Sequence, residues 1–155
     1  MEGGLKTALR NSELKDMAMT LHVDIVSAEA EIFSGPAEMV FAPAEMGEVG
    51  IAPRHAPLLT RLKAGQVRIR NGNDEQFFYV SGGMLEIQPH VVTVLADTAL
   101  RAKDIDETKA LEAKQRAELA LSDRKDNFDY AKAQMELAQA IAQLRTLQNL
   151  RRKLK

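Results

Sequence analysis

Val91-Val92-Thr93-Val94-Leu95-Ala96 runs into Asp97-Thr98-Ala99-Leu100-Arg101-Ala102-Lys103 and then Asp104-Ile105-Asp106-Glu107, and the character of the chain changes across this stretch. Upstream lie β-branched residues, short apolar runs and frequent Gly and Pro. Downstream there is no Gly or Pro, and Ala, Leu, Glu, Gln, Lys and Arg dominate. A shift of this kind predicts strands before the joint, helices after it, and a domain boundary between them. Asp104 and Glu107 have the D-x-x-E spacing of a capping box, which would satisfy orphan amides and set carboxylates at the positive end of the dipole. The first helix is therefore expected to start at about Ile105.

Working back from the joint, Leu21, Val23 and Ile25 alternate with His22, Asp24 and Ser27, the period of a half-buried strand. Short apolar runs follow at Ile32-Phe33 and Met39 to Ala42, with turn residues Ser34-Gly35-Pro36 between them. Gly47 to Pro53 and His55-Ala56-Pro57-Leu58-Leu59 carry Gly and Pro too closely for a helix and suit an edge strand feeding a tight turn. Gln66 to Arg70 and Phe77 to Val80 flank Asn71-Gly72-Asn73-Asp74, a strong hairpin signal. Ser81-Gly82-Gly83 then interrupts the strands. Met84 to Ile87 and Val91 to Leu95 flank Gln88-Pro89-His90 as a second hairpin. Strands this short and frequent predict an antiparallel β-sandwich or flattened barrel. Residues 1–18 bring Gly3-Gly4 and few apolar marks and are expected to be a disordered leader or tag, a short frayed helix being the alternative. The division is then 1–18 leader, 19–102 β-sandwich and 103–155 helical hairpin, an α+β, two-domain chain.

Past the joint, Ala110, Ala113, Ala117 and Ala120 share one helix face, and Ala133, Leu137, Ala140, Leu144 and Leu147 repeat the rhythm after a polar break at 122–127. Matching seams and a short loop predict an antiparallel αα-hairpin. Alanine faces bury little area at about 25 cal/mol per Å², so such a pair needs a partner surface.

The chain has 155 residues, a formal net charge of -1 and no cysteine. That charge gives no global nucleic-acid or membrane footprint, and without thiols there is no disulfide framework. No apolar run reaches the about 20 residues needed to cross a bilayer, and no signal-peptide core stands at the start, so a soluble cytoplasmic protein is expected. Aromatic residues make up 5% of the chain and tryptophan is absent, which leaves few stacking platforms for bases. His22, His55 and His90 lack metal-ligand spacing, and the glycines fit neither a nucleophile elbow nor a phosphate loop. Acid pairs such as Asp104 with Asp106 sit where helix capping accounts for them. Neither a catalytic constellation nor a metal set emerges. One asymmetry remains: after Glu136 there is no acid, while Arg145, Arg151, Arg152, Lys153 and Lys155 follow. The helix dipole favours cations there by about 0.3 to 1 kcal/mol. Five exceed that need and suggest an acidic protein partner rather than nucleic acid.

Together the residues resemble a family, the epsilon subunits of bacterial F-type ATP synthases. The resemblance runs from Met17 to the C-terminus and rests on Asp24-Ile25-Val26-Ser27-Ala28-Glu29, Phe33-Ser34-Gly35, and Gly47-Glu48-Val49-Gly50-Ile51-x-Pro53-x-His55-Ala56-Pro57-Leu58-Leu59. Val80-Ser81-Gly82-Gly83-x-Leu85-Glu86-Ile87-Gln88-Pro89, Val94 to Ala99 and Asp129-Tyr130-Ala131 continue it. Each fragment is weak alone; their order and spacing are specific.

What the resemblance implies is a non-catalytic rotor subunit on the cytoplasmic face of the bacterial cell membrane, peripheral and without a transmembrane segment. It would sit between the gamma subunit, the c-subunit ring and the alpha/beta catalytic subunits, coupling proton-driven rotation to ATP synthesis. Glu48 and His55 match family positions near the ring loops, and Ser27 the side facing gamma. Arg54 stands where the family has Gly, and a left-handed backbone there would be strained. The hairpin in the family lies folded on the sandwich or extends along gamma, where its basic end, here Arg145, Arg151, Arg152, Lys153 and Lys155, opposes ATP hydrolysis. Some members bind ATP through a segment that here reads Ile105-Asp106-Glu107-Thr108-Lys109-Ala110, with Arg116 as a further position. Lys109 lacks arginine's bidentate fork, so ATP would be a weak regulatory ligand at most. The rival reading is a free-standing ATP-sensing module.

Overall fold

The computed structural model describes residues 20–123 and 127–155. The expected leader, 1–18, lies outside the described residues, as does the middle of the expected break between the helices. Ten strands come first: β1 (Leu21–Ser27), β2 (Glu31–Ala37), β3 (Met39–Ala44), β4 (Gly47–Ile51), β5 (Leu58–Leu62), β6 (Gly65–Asn71), β7 (Asp74–Val80), β8 (Gly83–Ile87), β9 (Val91–Ala96) and β10 (Ala99–Arg101). A 3-10 turn at Ala102–Asp104 leads to α1 (Glu107–Asp123) and α2 (Asn127–Leu154).

The strands form two five-stranded leaves, β4-β3-β6-β7-β10 and β5-β8-β9-β1-β2, joined where Ala44 of β3 pairs with Leu62 of β5. Alternation along each strand sends one face inward, and Val23, Ile25, Val40, Ile51, Val67, Ile69, Leu85, Ile87, Val92 and Val94 meet between the leaves almost free of solvent. The β-sandwich followed by a helical hairpin is the architecture expected, with two refinements. β1 and β9 pair in parallel, His22 opposite Val91, so the sandwich is not wholly antiparallel. β10 was not legible as a strand; three residues suffice because Ala99, Leu100 and Arg101 pair with Val80, Tyr79 and Phe78.

Two local expectations are corrected. Ser34-Gly35-Pro36 is not a turn, since β2 runs straight through it with Pro36 opposite His22. β2 is the outer strand of its leaf, where proline's missing N–H leaves no ladder bond unmade. The chain turns instead at Glu38, whose amide donates to the Arg70 carbonyl at 3.0 Å and to Asn71 Oδ1 at 3.1 Å. The first helix starts at Glu107 rather than Ile105, and its cap is Asp106 rather than Asp104. Asp106 Oδ1 accepts from the Lys109 amide at 3.2 Å and its carbonyl from the Ala110 amide at 3.0 Å. Ile105 is the reason: its backbone stays extended (φ -74°, ψ 128°) to bury its side chain, which delays the helix by one cap.

The glycines after β7 act as backbone devices. Gly83 has φ 131°, and a side chain on it would collide with the Leu95 carbonyl oxygen of the neighbouring strand. The hairpin packs as expected, with Ala110 and Ala117 of α1 and Ala133 and Ala140 of α2 buried along the seam, although Ala120 is exposed. Its partner surface is the outer face of β6 and β7, where Tyr79, Ile105, Ala142 and Leu147 form a second apolar cluster with Ala64 and Leu100.

Candidate functional site

Two places along the hairpin gather the side chains singled out in the sequence. The first is a cleft of about 570 Å³ where both helices meet the end of β10. The cap residue Asp106 and Lys109, Ala113 and Arg116 of α1 stand on one stripe at spacings of three and four, so three of the four nucleotide-site candidates line this cleft together. Glu136, Gln139, Ala140 and Gln143 face them from α2, with Leu100 and Asp104 at the base. Ile105, the fourth candidate, points away into the apolar cluster and acts as an anchor. Three carboxylates line the walls against two cations, which opposes a polyphosphate, and Asp106 already spends one oxygen on the helix cap. Beneath the cleft lies Tyr79, whose phenol is pushed up by burial, partly offset by a hydrogen bond with Gln143.

The second place is the basic end of α2. Arg151 reaches back to Glu107 at the start of α1 as a fork, Nη1 to Oε1 at 3.0 Å and Nη2 to Oε2 at 2.5 Å. That hydrogen bond and the attached charge hold the Glu107 carboxyl below its usual range and lift Arg151. Lys153 Nζ lies 3.4 Å from Glu75 on β7, whose other oxygen takes Arg68 at 3.2 Å. Asn149 Nδ2 donates to Gln66 Oε1 at 2.8 Å. Arg145, Arg152 and Lys155 are exposed and have no carboxylate within ion-pair distance among the described residues.

Ser27, Glu48 and His55 do not converge. Ser27 closes the turn after β1, its Oγ accepting from the Ala30 amide at 3.3 Å. His55 lies at the other end of that strand, roughly 20 Å away at about 3.3 Å per residue, because the Arg54 amide donates to Pro89 and the His22 amide to His90 there. Arg54 takes the left-handed backbone, φ 66°, the only non-glycine residue to do so among those described. His55 Nδ1 meets the Ala56 carbonyl at 2.7 Å. Glu48 is exposed on β4, beside a groove that Arg145 and Asn149 line from α2. Two exposed apolar residues escaped the sequence reading: Leu59, 67% exposed, and Leu95, 49% exposed. They share the outer face of the second leaf, Leu59 opposite Glu86 and Leu95 opposite Met84. The signal was present, since a second leucine at Leu58-Leu59 and Leu95 between Val94 and Ala96 break a strict alternation.

An architecture of this kind, a sandwich carrying a helical hairpin on one outer face, defines a narrow class. Comparison with known proteins resolves which: the description "ATP synthase, Delta/Epsilon chain, beta-sandwich domain" matches residues 20–102, and "ATP synthase, Delta/Epsilon chain, long alpha-helix domain" matches 103–148. The chain belongs to the delta/epsilon family of ATP synthase subunits. It is 71% identical over 139 residues to the ATP synthase epsilon chain of Nitrosococcus oceani, covering 89% of this chain and 99% of that one. It is 64% identical over 137 residues to epsilon chain 1 of Methylococcus capsulatus, at 88% and 98% coverage. Among solved structures, a chain of the Euglena gracilis mitochondrial ATP synthase, described as OSCP/F1/c-ring in rotational state 1, shares the fold with a TM-score of 0.74. Their identity is 17%, and the match covers 83% of this chain and 82% of that one. A chain from the Tetrahymena thermophila enzyme, described as central stalk/cring, aligns at TM-score 0.55 and 11% identity, covering 82% and 96%. No described helix is long and apolar enough to cross a membrane.

Proposed function

We propose that this chain is the epsilon subunit of a bacterial F-type ATP synthase, a non-catalytic part of the central stalk that couples rotation of the c ring to the catalytic head and restrains ATP hydrolysis through its hairpin. It works at the cytoplasmic face of the cell membrane, peripherally, and the division into a sandwich at 19–102 and an arm at 103–155 is functional. The sandwich meets gamma and the ring through surfaces that include Ser27, Glu48 and His55, with Leu59 and Leu95 supplying exposed apolar area. The tail cations Arg145, Arg151, Arg152, Lys153 and Lys155 meet acidic loops of the alpha and beta subunits when the arm extends.

The observation that carries this reading is that the hairpin meets the sandwich through an apolar cluster separate from the core between the leaves. Tyr79, Ile105, Ala142 and Leu147 are its buried apolar centre, and one of the four is only an alanine. A contact outside the main core holds an arm without fusing it to its base. Isolation of the endogenous complex tests the reading: co-purification with gamma and c subunits supports it, and a lone monomer overturns it. A second reading, an ATP-sensing module, is favoured by one observation, the convergence of Asp106, Lys109 and Arg116 on one cleft. The acid excess of that cleft makes any such binding weak.

A further inference from the structure

We propose that Glu75 and Glu107 are regulatory residues that hold two of the five tail cations while the hairpin is folded, so that the tail divides into two latched cations, Arg151 and Lys153, and three free ones, Arg145, Arg152 and Lys155. The proposal rests on reading the hairpin as a mobile arm. Its basis is the placement of the only two carboxylates, among the described residues, that ion-pair with the tail. Glu107 stands in the first turn of α1 and Arg151 near the end of α2, so their fork ties the legs of the hairpin where they are farthest from the connecting loop. Glu75 stands on β7 and ties Lys153 to the sandwich, and Asn149 bonded to Gln66 adds a neutral tie one turn earlier. The two ties differ in what breaks them. Lifting an intact hairpin breaks Lys153–Glu75, Asn149–Gln66 and the Tyr79–Gln143 hydrogen bond, whereas splaying its legs breaks Arg151–Glu107 as well.

A cation cannot serve its latch and an outside acidic loop at once. The two carboxylates therefore compete with any acidic partner for Arg151 and Lys153. Neutralising the carboxylates frees the arm and leaves every tail cation in place, the reverse of neutralising Arg145, Arg152 and Lys155, which leaves the latch closed and removes outside contacts. Both pairs are open to solvent on at least one partner, so each is worth about a two- to five-fold change in the opening equilibrium, and salt screens them.

The experiment uses the full chain, alone and in the assembled complex. Because the chain has no cysteine, Asn73→Cys and Gln148→Cys accept a dye pair that reports separation of α2 from the tip of the β6–β7 hairpin. Glu75→Gln is expected to raise the open population two- to five-fold, and Glu107→Gln to raise protease or hydrogen-exchange access between the helices by a similar factor. The swap Glu107→Arg with Arg151→Glu is expected to restore the closed state, and Arg145→Gln with Arg152→Gln and Lys155→Gln to leave it unchanged. An unaltered open population in Glu75→Gln, unaltered access between the helices in Glu107→Gln, or no rescue by the swap overturns the latch. In the complex, Glu75→Gln with Glu107→Gln should deepen inhibition of hydrolysis. If the dyes separate and hydrolysis is unmoved, the latch stands and the brake reading falls.

Discussion

Leu147→Ala isolates the docking of the hairpin from the folding of the sandwich. Leu147 is 8% exposed and belongs to the small cluster with Tyr79, Ile105 and Ala142, apart from the core between the leaves. Truncating a buried leucine costs about 2 to 5 kcal/mol depending on how well the site collapses. This site lies at the rim of a domain and water can reach it, so the lower part of that range applies, about 2 to 3 kcal/mol. At 1.4 kcal/mol per decade the undocked population then rises about 30- to 150-fold. Carrying an arm from 1:99 to 99:1 takes about 5.5 kcal/mol, so the variant is loosened without being fully released. Hydrogen exchange reads this directly: amides of α2 should lose protection by that factor, while Val23, Leu85 and Val94 in the sandwich keep theirs. Leu154→Ala, at a residue 77% exposed, should change neither. If Leu147→Ala lowered protection equally in the sandwich and the hairpin, the two would form one cooperative unit, and the separation of arm from base would be wrong.

A fragment ending at Ala102 should unfold cooperatively by itself, because all buried residues of the main core precede that point; a broad, non-cooperative melt in urea would refute this. Lys109→Arg should tighten ATP binding by about 1 to 2 kcal/mol through a bidentate phosphate donor. Calorimetry decides, and binding by neither form at millimolar ATP would end the sensor reading. Docking on the sandwich and the closure of the two helices on each other should each depend on pH in its own window. Burial raises the Tyr79 phenol above 10.0, so the undocked form loses its proton first, and docking, intact below about pH 10, should weaken as pH rises toward the folded value; Tyr79→Phe should remove that dependence. Glu107 is lowered by Arg151, so its contribution is present above its usual 4.5 and lost as pH falls through the folded value, a loss that Arg151→Gln should abolish when followed by hydrogen exchange.

Period-two alternation and turn chemistry made most of the sandwich legible. Val23 and Ile25 point inward as their spacing demands, and Asn71 pairs with Asp74 around Gly72-Asn73. Where local signals failed, tertiary placement had overruled them. Ser34-Gly35-Pro36 reads as a turn until β2 is known to be an outer strand that needs no amide from Pro36. Asp104 reads as a cap until Ile105 is known to be buried, since the burial fixes an extended residue between the two aspartates and passes the cap to Asp106. The seam of the hairpin was visible in its alanines, but its docking partner was not: Tyr79 reads as an ordinary strand residue and Leu100 as part of the joint, and nothing local says which outer face a helix will cover. The candidate nucleotide stripe at Asp106, Lys109 and Arg116 follows from helix period alone. The acids that weaken it, Asp104 and Glu136, come from other elements and needed the structure. Likewise the tail cations are plain in the sequence, while their division between Glu75, Glu107 and solvent depends on contacts 44 and 78 residues apart.

The central claim is that the hairpin is a brake carried on a separable base, and steady-state ATP hydrolysis by the reconstituted complex tests it most directly. Tail charges alone give about 0 to 1 kcal/mol each as exposed pairs, so apolar packing of residues such as Leu137, Ile141, Leu144 and Leu150 must contribute much of the inhibition. Full-length chain should hold hydrolysis low. The chain ending at Ala102 should release it while proton-driven ATP synthesis remains coupled, and replacing the five tail cations by Gln should fall between them with less dependence on salt. Equal hydrolysis rates with full-length, charge-neutralised and truncated chains would contradict the account and leave the tail as a solvated helix end.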